Sequence, residues 1–314
     1  MVASAASAPR LRRHYVKLCD IRDFGDPAVR DRIRDIAPGH EPRAELRRKF
    51  WEYAMLTLFL EDVGKLDDDT DVLSVGAGHE EVLFWLANRV GRVVATDIYG
   101  EGGFAGGEAD ASMLTNPDAF APYEYRRECL EVLKMDARSL AFPDGTFDVV
   151  FSLSSIEHFG APWDIARAAR EIGRVLRPGG YAFVVTECFV GRSPMNSRLV
   201  QTGIRAATLG RRCKKATPWR RAVDVFTREE LDWLVIRPSG LELVQPLHTE
   251  ISAENWQNVI LWRGEGRFAS STGEEWPHVL IRPVGSAFFA NAGGAAFTSA
   301  ALALRKPPPA RRRS

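Results

Sequence analysis

A glycine turn followed by an acid is the part of this chain whose residues point most directly to chemistry. Gly76 and Gly78 end the apolar segment Val72–Val75, and Asp97 ends a second apolar segment about 20 residues later. This order indicates a strand, a tight turn, a helix and a second strand, which is half of a nucleotide-binding βαβ unit. The glycines let a ligand approach the backbone, and Asp97 can accept hydrogen bonds from a ribose diol. The pattern predicts a nucleoside-containing cofactor; a plain βαβ crossover with glycines for packing is the alternative.

Two acids after this turn narrow the choice of cofactor. Glu80 stands near the position of the third glycine of dinucleotide-binding turns, and Glu81 follows it. A phosphate at a helix start needs positive potential and little side-chain bulk, whereas these carboxylates would repel a pyrophosphate. The turn therefore favours a cofactor with a ribose and no phosphate. S-adenosylmethionine, with its positive sulfonium, fits this condition better than NAD.

Strands and helices alternate along most of the chain. Apolar runs bounded by turn residues predict strands, and apolar residues at helical spacing predict helices. Alternation of this kind indicates an α/β fold, a doubly wound and mostly parallel sheet covered on both faces. The predicted strands are 71–75, 92–96, 130–134, 147–153, 181–186, 241–244 and 299–304, and the predicted helices are 41–63, 79–89, 162–176 and 227–236.

The order of predicted strands and helices also divides the chain into three parts. Residues 1–64 form a tail and a helical N-terminal cap, residues 65–248 form the cofactor-binding core, and residues 249–314 hold an insertion, the last strand and a basic tail. The core carries insertions at 98–128 and 188–222, both at the carboxyl ends of strands, where open α/β sheets bind ligands. The second insertion is strongly basic, which suits an anionic acceptor or simply a solvated helical face.

Composition excludes several classes of protein. The net charge is +1, so no global field indicates nucleic acid, and no apolar run is long enough to span a membrane. The four cysteines are widely spaced, which argues against a zinc site or a disulfide framework. No metal site is predicted, and the cysteine usage fits a reducing cytoplasm. The sequence is compatible with a monomer or a homo-oligomer.

Four blocks in order resemble the class I S-adenosylmethionine-dependent methyltransferases of the small-molecule type. The resemblance covers roughly residues 70–190, with a weaker match to about 245 and at the last strand, and the fourth block after the third is its most specific part. It implies a Rossmann-like, seven-stranded sheet whose last strand is antiparallel. The blocks are Val72–Glu80 with Asp97, Lys134–Asp148, Val149–Phe159 and Glu171–Gly180.

The resemblance implies where the nucleoside would lie. Asp97 would bind the ribose hydroxyls, and Ile98 directly after it belongs to the same predicted contacts. Asp136, together with the backbone of Ala137, would meet the adenine. The residues alone agree, because each acid ends a predicted strand; a strand-end acid in solvent, or a turn cap, is the bland alternative for each.

The resemblance also implies contacts with the methionine end of the cofactor. Gly76 and Gly78 would lie against it, and Ser154 would line it after the fourth strand. Ser74, in the first strand, is placed in the same set. Many members of the family have an acid where Ser74 stands and a third glycine where Glu80 stands, so this end departs from the family pattern.

One histidine is the candidate catalytic base. His158 follows the fourth strand at its carboxyl end, Glu157 lies beside it, and an imidazole near neutrality suits proton removal. The alternative is that both residues only orient a loop or pack against the substrate. His79 lies in the glycine turn and is assigned to the cofactor carboxylate, or alternatively to a polar helix start. Glu187, at the end of the fifth strand, faces the same rim.

These observations lead to one functional hypothesis and two alternatives. The hypothesis is methyl transfer from S-adenosylmethionine to an O or N nucleophile of a small molecule, including a secondary-metabolite or glycan-linked acceptor. A Rossmann-type NAD-dependent oxidoreductase is the first alternative, and the Glu80–Glu81 pair speaks against it. A non-catalytic binding or regulatory protein of the same fold is the second, and the altered Ser74 and Glu80 positions leave room for it.

Overall fold

A single mixed sheet organises the protein. The computed structural model describes residues 11–42, 46–191, 206, 224–257, 259–262, 268–270, 279–283 and 296–308. The strands are β1 Lys17–Leu18, β2 Asp71–Val75, β3 Arg92–Asp97, β4 Leu130–Lys134, β5 Phe147–Leu153, β6 Leu176–Phe189, β7 Glu242–Leu243, β8 Val259–Trp262, β9 Phe268–Ser270, β10 Leu280–Pro283 and β11 Phe297–Arg305.

The centre of this sheet has the predicted parallel arrangement. The strands run in the order β4-β3-β2-β5-β6-β11, with β11 antiparallel to β6 and the other neighbours parallel. The strands β2, β3 and β5 are apolar and almost wholly buried, as expected of parallel strands covered on both faces. The Rossmann-like α/β fold with an antiparallel last strand is therefore confirmed.

The prediction of seven strands was too low, because the sheet has eleven among the described residues. The two-residue strands β1 and β7 both pair with β11, and β1 is too short to leave a pattern in the sequence. Three further strands, β8 to β10, extend the sheet beyond β11. They lie within the stretch 249–297 that was predicted only as an insertion.

The helices lie between and before the strands. The second helix is buried nearly all round and contacts β11 as well as the first helix, so the N-terminal cap is part of the core. It begins at Arg48, later than predicted. The predicted helix 227–236 continues to Ser239 through a π-helical turn, Asp232–Ile236. Thr227 and Glu230 form a capping box at its start. The α-helices are α1 Pro27–Ile36, α2 Arg48–Asp62, α3 Glu81–Ala87, α4 Pro162–Val175, α5 Arg228–Leu231 and α6 Arg237–Ser239.

The fifth predicted strand begins earlier than the sequence indicated. The segment Arg177–Gly180 was placed between a helix and a strand, yet β6 already starts at Leu176 and includes it. Its pairing with β5 shifts register there. A Cβ on Gly180 would lie 2.7 Å from the Asp148 carbonyl oxygen, so the close approach of the two strands requires glycine.

The basic insertion and the membrane prediction can be compared with the structure only over the described residues. Most of the basic insertion, residues 192–205 and 207–223, lies outside the described residues. Among the helices that are described, none is both long and apolar enough to cross a bilayer.

Candidate functional site

A cavity of about 740 Å³ opens at the carboxyl ends of β2, β3, β4 and β5. One side, here called the glycine wall, consists of Gly76–Gly78, Asp97–Ile98 and Met135–Arg138. A second part of the lining, the His158 wall, consists of Phe104 and Ser155 with His158–Gly160. It adjoins the glycine wall where the Ser155 hydroxyl donates to the Gly76 carbonyl oxygen at 2.7 Å. The remaining lining residues are 49, 53, 79–81, 101, 108, 109, 120, 153 and 154.

The glycine turn is tightly enclosed by other parts of the chain. Gly76 and Gly78 have φ values of +69° and +50°, the left-handed region that favours glycine. A Cβ on Gly76 would lie 2.6 Å from the Ser155 Cβ, and one on Gly78 would lie 2.7 Å from the Glu108 carbonyl oxygen. Both predicted glycines line the cavity, and any larger residue there would displace a neighbouring segment.

Asp97 is held by backbone donors. Its Oδ2 accepts a hydrogen bond from the Gly78 N–H at 2.9 Å, and its Oδ1 accepts one from the Ile98 N–H at 2.7 Å. Burial raises the pKa of Asp97, and these two hydrogen bonds oppose the rise. Each carboxylate oxygen keeps further acceptor capacity toward the cavity, which is the requirement for binding a diol.

Asp136 sits in the same wall but in a different environment. Its carboxylate pairs with the Arg138 guanidinium, with Arg138 Nη2 2.7 Å from Asp136 Oδ2. Hydrogen bonds from this guanidinium lower the pKa of Asp136. Both side chains are about 41% exposed, so the pair is open to solvent. Ala137 between them is buried and lines the cavity.

The two predicted serines have different positions. Ser154 lines the cavity, and its φ of +51° places a non-glycine residue in the left-handed region. Its hydroxyl donates to Glu52 Oε1 at 2.8 Å, which ties the end of β5 to α2. Ser74 lies inside β2, is 1% exposed and does not belong to the cavity lining. The predicted contact between Ser74 and the cofactor therefore stays a prediction.

Sequence reasoning missed a lysine at this site. Lys49 in α2 reaches the cavity, with its Nζ 2.7 Å from Glu80 Oε1 and 3.0 Å from the Leu153 carbonyl oxygen. Burial raises the pKa of Glu80 to about 7, against the opposing charge of Lys49. Helical periodicity predicted the helix that carries Lys49, but no local motif distinguishes Lys49 from other basic residues there.

His158 lines the same cavity. It lies in the short 3₁₀ helix Ile156–His158, with Nδ1 3.4 Å from Asp224 Oδ2 and its ring centroid 4.9 Å from that of Phe104. Burial lowers the pKa of His158, but the hydrogen bond to Asp224 and the nearby carboxylates outweigh it, so the net pKa is raised. Asp224 has no motif of its own and was not predicted.

Glu157 does not line the cavity beside His158. It is fully buried, and its Oε2 accepts a hydrogen bond from the Thr186 hydroxyl at 2.7 Å. Its charge favours the protonated imidazole of His158, so it acts on that ring only electrostatically. Direct proton transfer by Glu157 to a substrate has no geometric support, because the side chain points into the sheet.

The remaining predicted residues lie at the rim. His79 lines the cavity and stacks on Phe120 with ring centroids 4.7 Å apart, which joins the glycine turn to the insertion 98–128. That insertion also contributes Phe104 and Glu108 to the cavity. Glu187 pairs with Arg48 at 3.0 Å and lies outside the lining.

Comparisons with known proteins agree with this geometry. Residues 73–184 match a family model described as "Methyltransferase domain". The match includes the glycine turn, Asp97, Asp136, Ser154 and His158. The predicted resemblance to the class I S-adenosylmethionine-dependent methyltransferases is thereby confirmed, and S-adenosylmethionine is the cofactor of that family.

Individual relatives match over short segments. A 27-O-demethylrifamycin SV methyltransferase of Amycolatopsis mediterranei is 49% identical over 45 residues, 14% of this chain and 15% of the relative. A 2-methyl-6-phytyl-1,4-hydroquinone methyltransferase of a Synechocystis strain is 39% identical over 74 residues, 24% of this chain and 20% of the relative. The matched segments thus span a fifth or less of the length of these curated relatives.

Solved structures resemble the chain over a longer range. A geranyl diphosphate C-methyltransferase of Streptomyces coelicolor covers 94% of this chain, and 92% of that chain is covered in turn. The sequence identity is 15% and the TM-score is 0.47.

Proposed function

We propose that this protein transfers a methyl group from S-adenosylmethionine to a nucleophilic atom of a small-molecule acceptor. The match of residues 73–184 to a methyltransferase-domain model supports this proposal. The observation that carries the proposal is that the glycine wall and the His158 wall line one and the same cavity. Its volume, about 740 Å³, lies in the range of pockets that hold small ligands. The cofactor supplies an electrophilic methyl group on a sulfonium, and the protein supplies the alignment.

The glycine wall suits the nucleoside. Asp97 is preorganised by two backbone N–H groups and accepts hydrogen bonds from the ribose hydroxyls with its remaining acceptor capacity. Asp136 and the Ala137 backbone flank the adenine, with Ile98 and Met135 as apolar neighbours. A pyrophosphate is disfavoured here, because the neighbouring lining carries Glu80 and Glu81.

The His158 wall suits the acceptor. His158 accepts the proton that an O or N nucleophile loses as the methyl group is transferred, and Asp224 holds the ring. Phe104 and Phe159 give the same wall an apolar surface. Two relatives are named as methyltransferases of a rifamycin and of a hydroquinone, which supports an acceptor of small-molecule type.

Cofactor binding is the first test of this proposal. S-adenosylmethionine, S-adenosylhomocysteine and NAD are titrated calorimetrically into the wild type and Asp97→Ala. We expect both sulfur nucleosides to bind the wild type, NAD to give no heat, and Asp97→Ala to bind at least about a hundredfold more weakly, because ribose and backbone donors lose their acceptor. Glu131→Gln, on the exposed edge strand β4, is the control and keeps wild-type affinity.

Turnover is the second test. The protein is incubated with S-adenosylmethionine and a panel of phenols, alcohols and amines, and product masses are measured. A product that gains one methyl group in place of hydrogen supports the enzyme, and His158→Ala slows its formation. Tight cofactor binding without turnover on any acceptor would favour the non-catalytic alternative, and binding of NAD alone would favour the oxidoreductase.

Three broader assignments remain proposals of the same kind. The chain is divided near residues 64 and 248 into cap, core and C-terminal part, and the protein acts in the cytoplasm. A homo-oligomer stays open. Limited proteolysis, cell fractionation and light scattering test these assignments in turn.

A further inference from the structure

One corner of the cavity holds two carboxylates and a single ammonium group. Lys49 in α2 contacts two carboxylates at once, with its Nζ 2.7 Å from Glu80 Oε1 and 3.1 Å from Glu52 Oε2. Glu52 is 2% exposed, and the Glu80 side chain is 13% exposed. Because one ammonium faces two carboxylates, this corner can accept a further cation.

Glu80 has an oxygen available for that cation. It occupies the N-cap position of α3 but makes no side-chain capping bond there, and its Oε1 turns to Lys49 instead. Its Oε2 is buried and has no hydrogen-bond partner among the described residues. A buried carboxylate oxygen without a donor is costly, so a ligand that supplies an N–H⁺ group would be stabilised here.

The groups around Glu80 come from three segments. From α2 they are Lys49, Glu52 and Tyr53, and from α3 the neighbour is Glu81, which hydrogen-bonds Tyr53. Tyr99, which follows β3, is close enough to Glu80 for the carboxylate charge to raise the pKa of its phenol. Lys49 is the one cation in this set, and it already serves two acids.

We propose that this corner binds the zwitterionic amino-acid end of the cofactor, with its ammonium on Glu80 and its carboxylate on Lys49, and that Glu80 releases a proton as it does so. The inference rests on the proposed function. Glu80 stands where the resembled family commonly has glycine, so the contact belongs to this chain. In this arrangement the ligand ammonium replaces Lys49 as the cation beside Glu80, and Lys49 serves Glu52 and the ligand carboxylate.

The sign of the proton exchange follows from the charges. Burial raises the pKa of Glu80 to about 7, so near neutral pH the carboxyl is partly protonated before the ligand arrives. A second cation favours the ionised form, so binding lowers this pKa and releases up to about half a proton at pH 7. Affinity for a ligand with the ammonium therefore falls as pH drops below 7.

The test compares two ligands that share the nucleoside. S-adenosylhomocysteine carries the amino-acid end, and 5′-methylthioadenosine lacks it. Each is titrated at pH 7 in phosphate and in Tris, whose different ionisation enthalpies reveal released protons. We expect proton release with S-adenosylhomocysteine only. Glu80→Gln abolishes it and weakens that ligand about tenfold, equivalent to ~1.4 kcal/mol, but leaves 5′-methylthioadenosine unchanged.

Two further variants sharpen the test. Glu131→Gln removes an acid outside the cavity lining, where Glu131 pairs with Arg92, and keeps the proton release. Lys49→Met weakens S-adenosylhomocysteine and leaves 5′-methylthioadenosine unchanged. Retained binding of 5′-methylthioadenosine shows that each variant is folded around the site.

The outcomes separate this inference from the function on which it rests. If neither nucleoside binds the wild type, the proposed function fails. If both bind, but Glu80→Gln keeps the proton release and the affinity for S-adenosylhomocysteine, the nucleoside site stands and the assignment of Glu80 is wrong.

Discussion

The glycine wall and the His158 wall face the same cavity but are built in different ways. In the glycine wall, Asp97 is fixed by N–H groups of Gly78 and Ile98, which belong to one βαβ unit. In the His158 wall, the ring is held by Asp224, 66 residues away, and by Phe104 from an insertion. The first wall is thus set by local backbone, and the second by side chains that only the complete fold brings together.

This difference between the walls predicts how strongly a substitution in each of them affects stability and binding. Backbone donors in a buried turn cannot move aside, so a change there leaves groups unpaired or in collision. Side chains that are partly open to solvent can reorient or exchange partners with water. We therefore expect the largest effects in the glycine wall and smaller, more specific ones in the His158 wall.

The largest effect is expected from Gly76→Ala. The substitution forces a Cβ into a left-handed position 2.6 Å from the Ser155 Cβ. The free energy of unfolding should fall by about 2 kcal/mol or more, and cofactor binding should weaken with it. Chemical denaturation measures the change. Gly103→Ala is the matched control, because a Cβ there meets no atom within 4 Å, and its stability should equal that of the wild type.

An intermediate effect on cofactor affinity is expected when Asp97 and Asp136, the two acids of the glycine wall, are each replaced by asparagine. Asp97→Asn presents an amide to two backbone donors and leaves one of them unpaired, so affinity for S-adenosylmethionine should fall at least about tenfold. Asp136→Asn weakens an exposed pair with Arg138, and the amide oxygen can still accept a hydrogen bond beside the adenine, so the loss should be less than about fivefold. Calorimetry ranks the two variants, and equal losses would contradict the difference drawn between them.

The smallest effect is a shift in a pH profile. If His158 is the base, the acidic limb of kcat/KM follows its raised pKa, because only the neutral imidazole accepts a proton. Asp224→Asn removes a carboxylate that stabilises the protonated ring, so the limb should move to lower pH by a few tenths to about one unit. Kinetics between acid and neutral pH measure it. An unmoved limb, with rate reduced at every pH, would assign Asp224 a purely structural role.

The same division explains what could be predicted from the sequence. The turn at Gly76 and the strand ends at Asp97 and Asp136 are local patterns, and their elements lie where they were predicted. Lys49 and Asp224 could not be found in this way, since their roles depend on contacts between distant segments. The assignment of Ser74 to the cofactor stays a prediction, and its burial within β2 could not be read from the family pattern.

The extra strands illustrate a second limit of sequence reasoning. Strands β8 to β10 are three or four residues long and separated by irregular stretches, so their periodicity is too short to recognise. The segment Arg177–Gly180 looked like a helix end because of its proline and glycines. Gly179 and Gly180 instead exchange backbone hydrogen bonds with Lys306, which is distant in the chain, and no local rule contains that contact.

The central claim is that one cavity holds the cofactor with its nucleoside on the glycine wall and its sulfur toward His158. A crystal structure with bound S-adenosylhomocysteine tests it most directly. We predict that the ribose hydroxyls lie within hydrogen-bond distance of Asp97, the adenine beside Asp136 and Ala137, and the sulfur on the side facing His158. A ligand bound elsewhere, or one with its adenine against His158, would contradict the account.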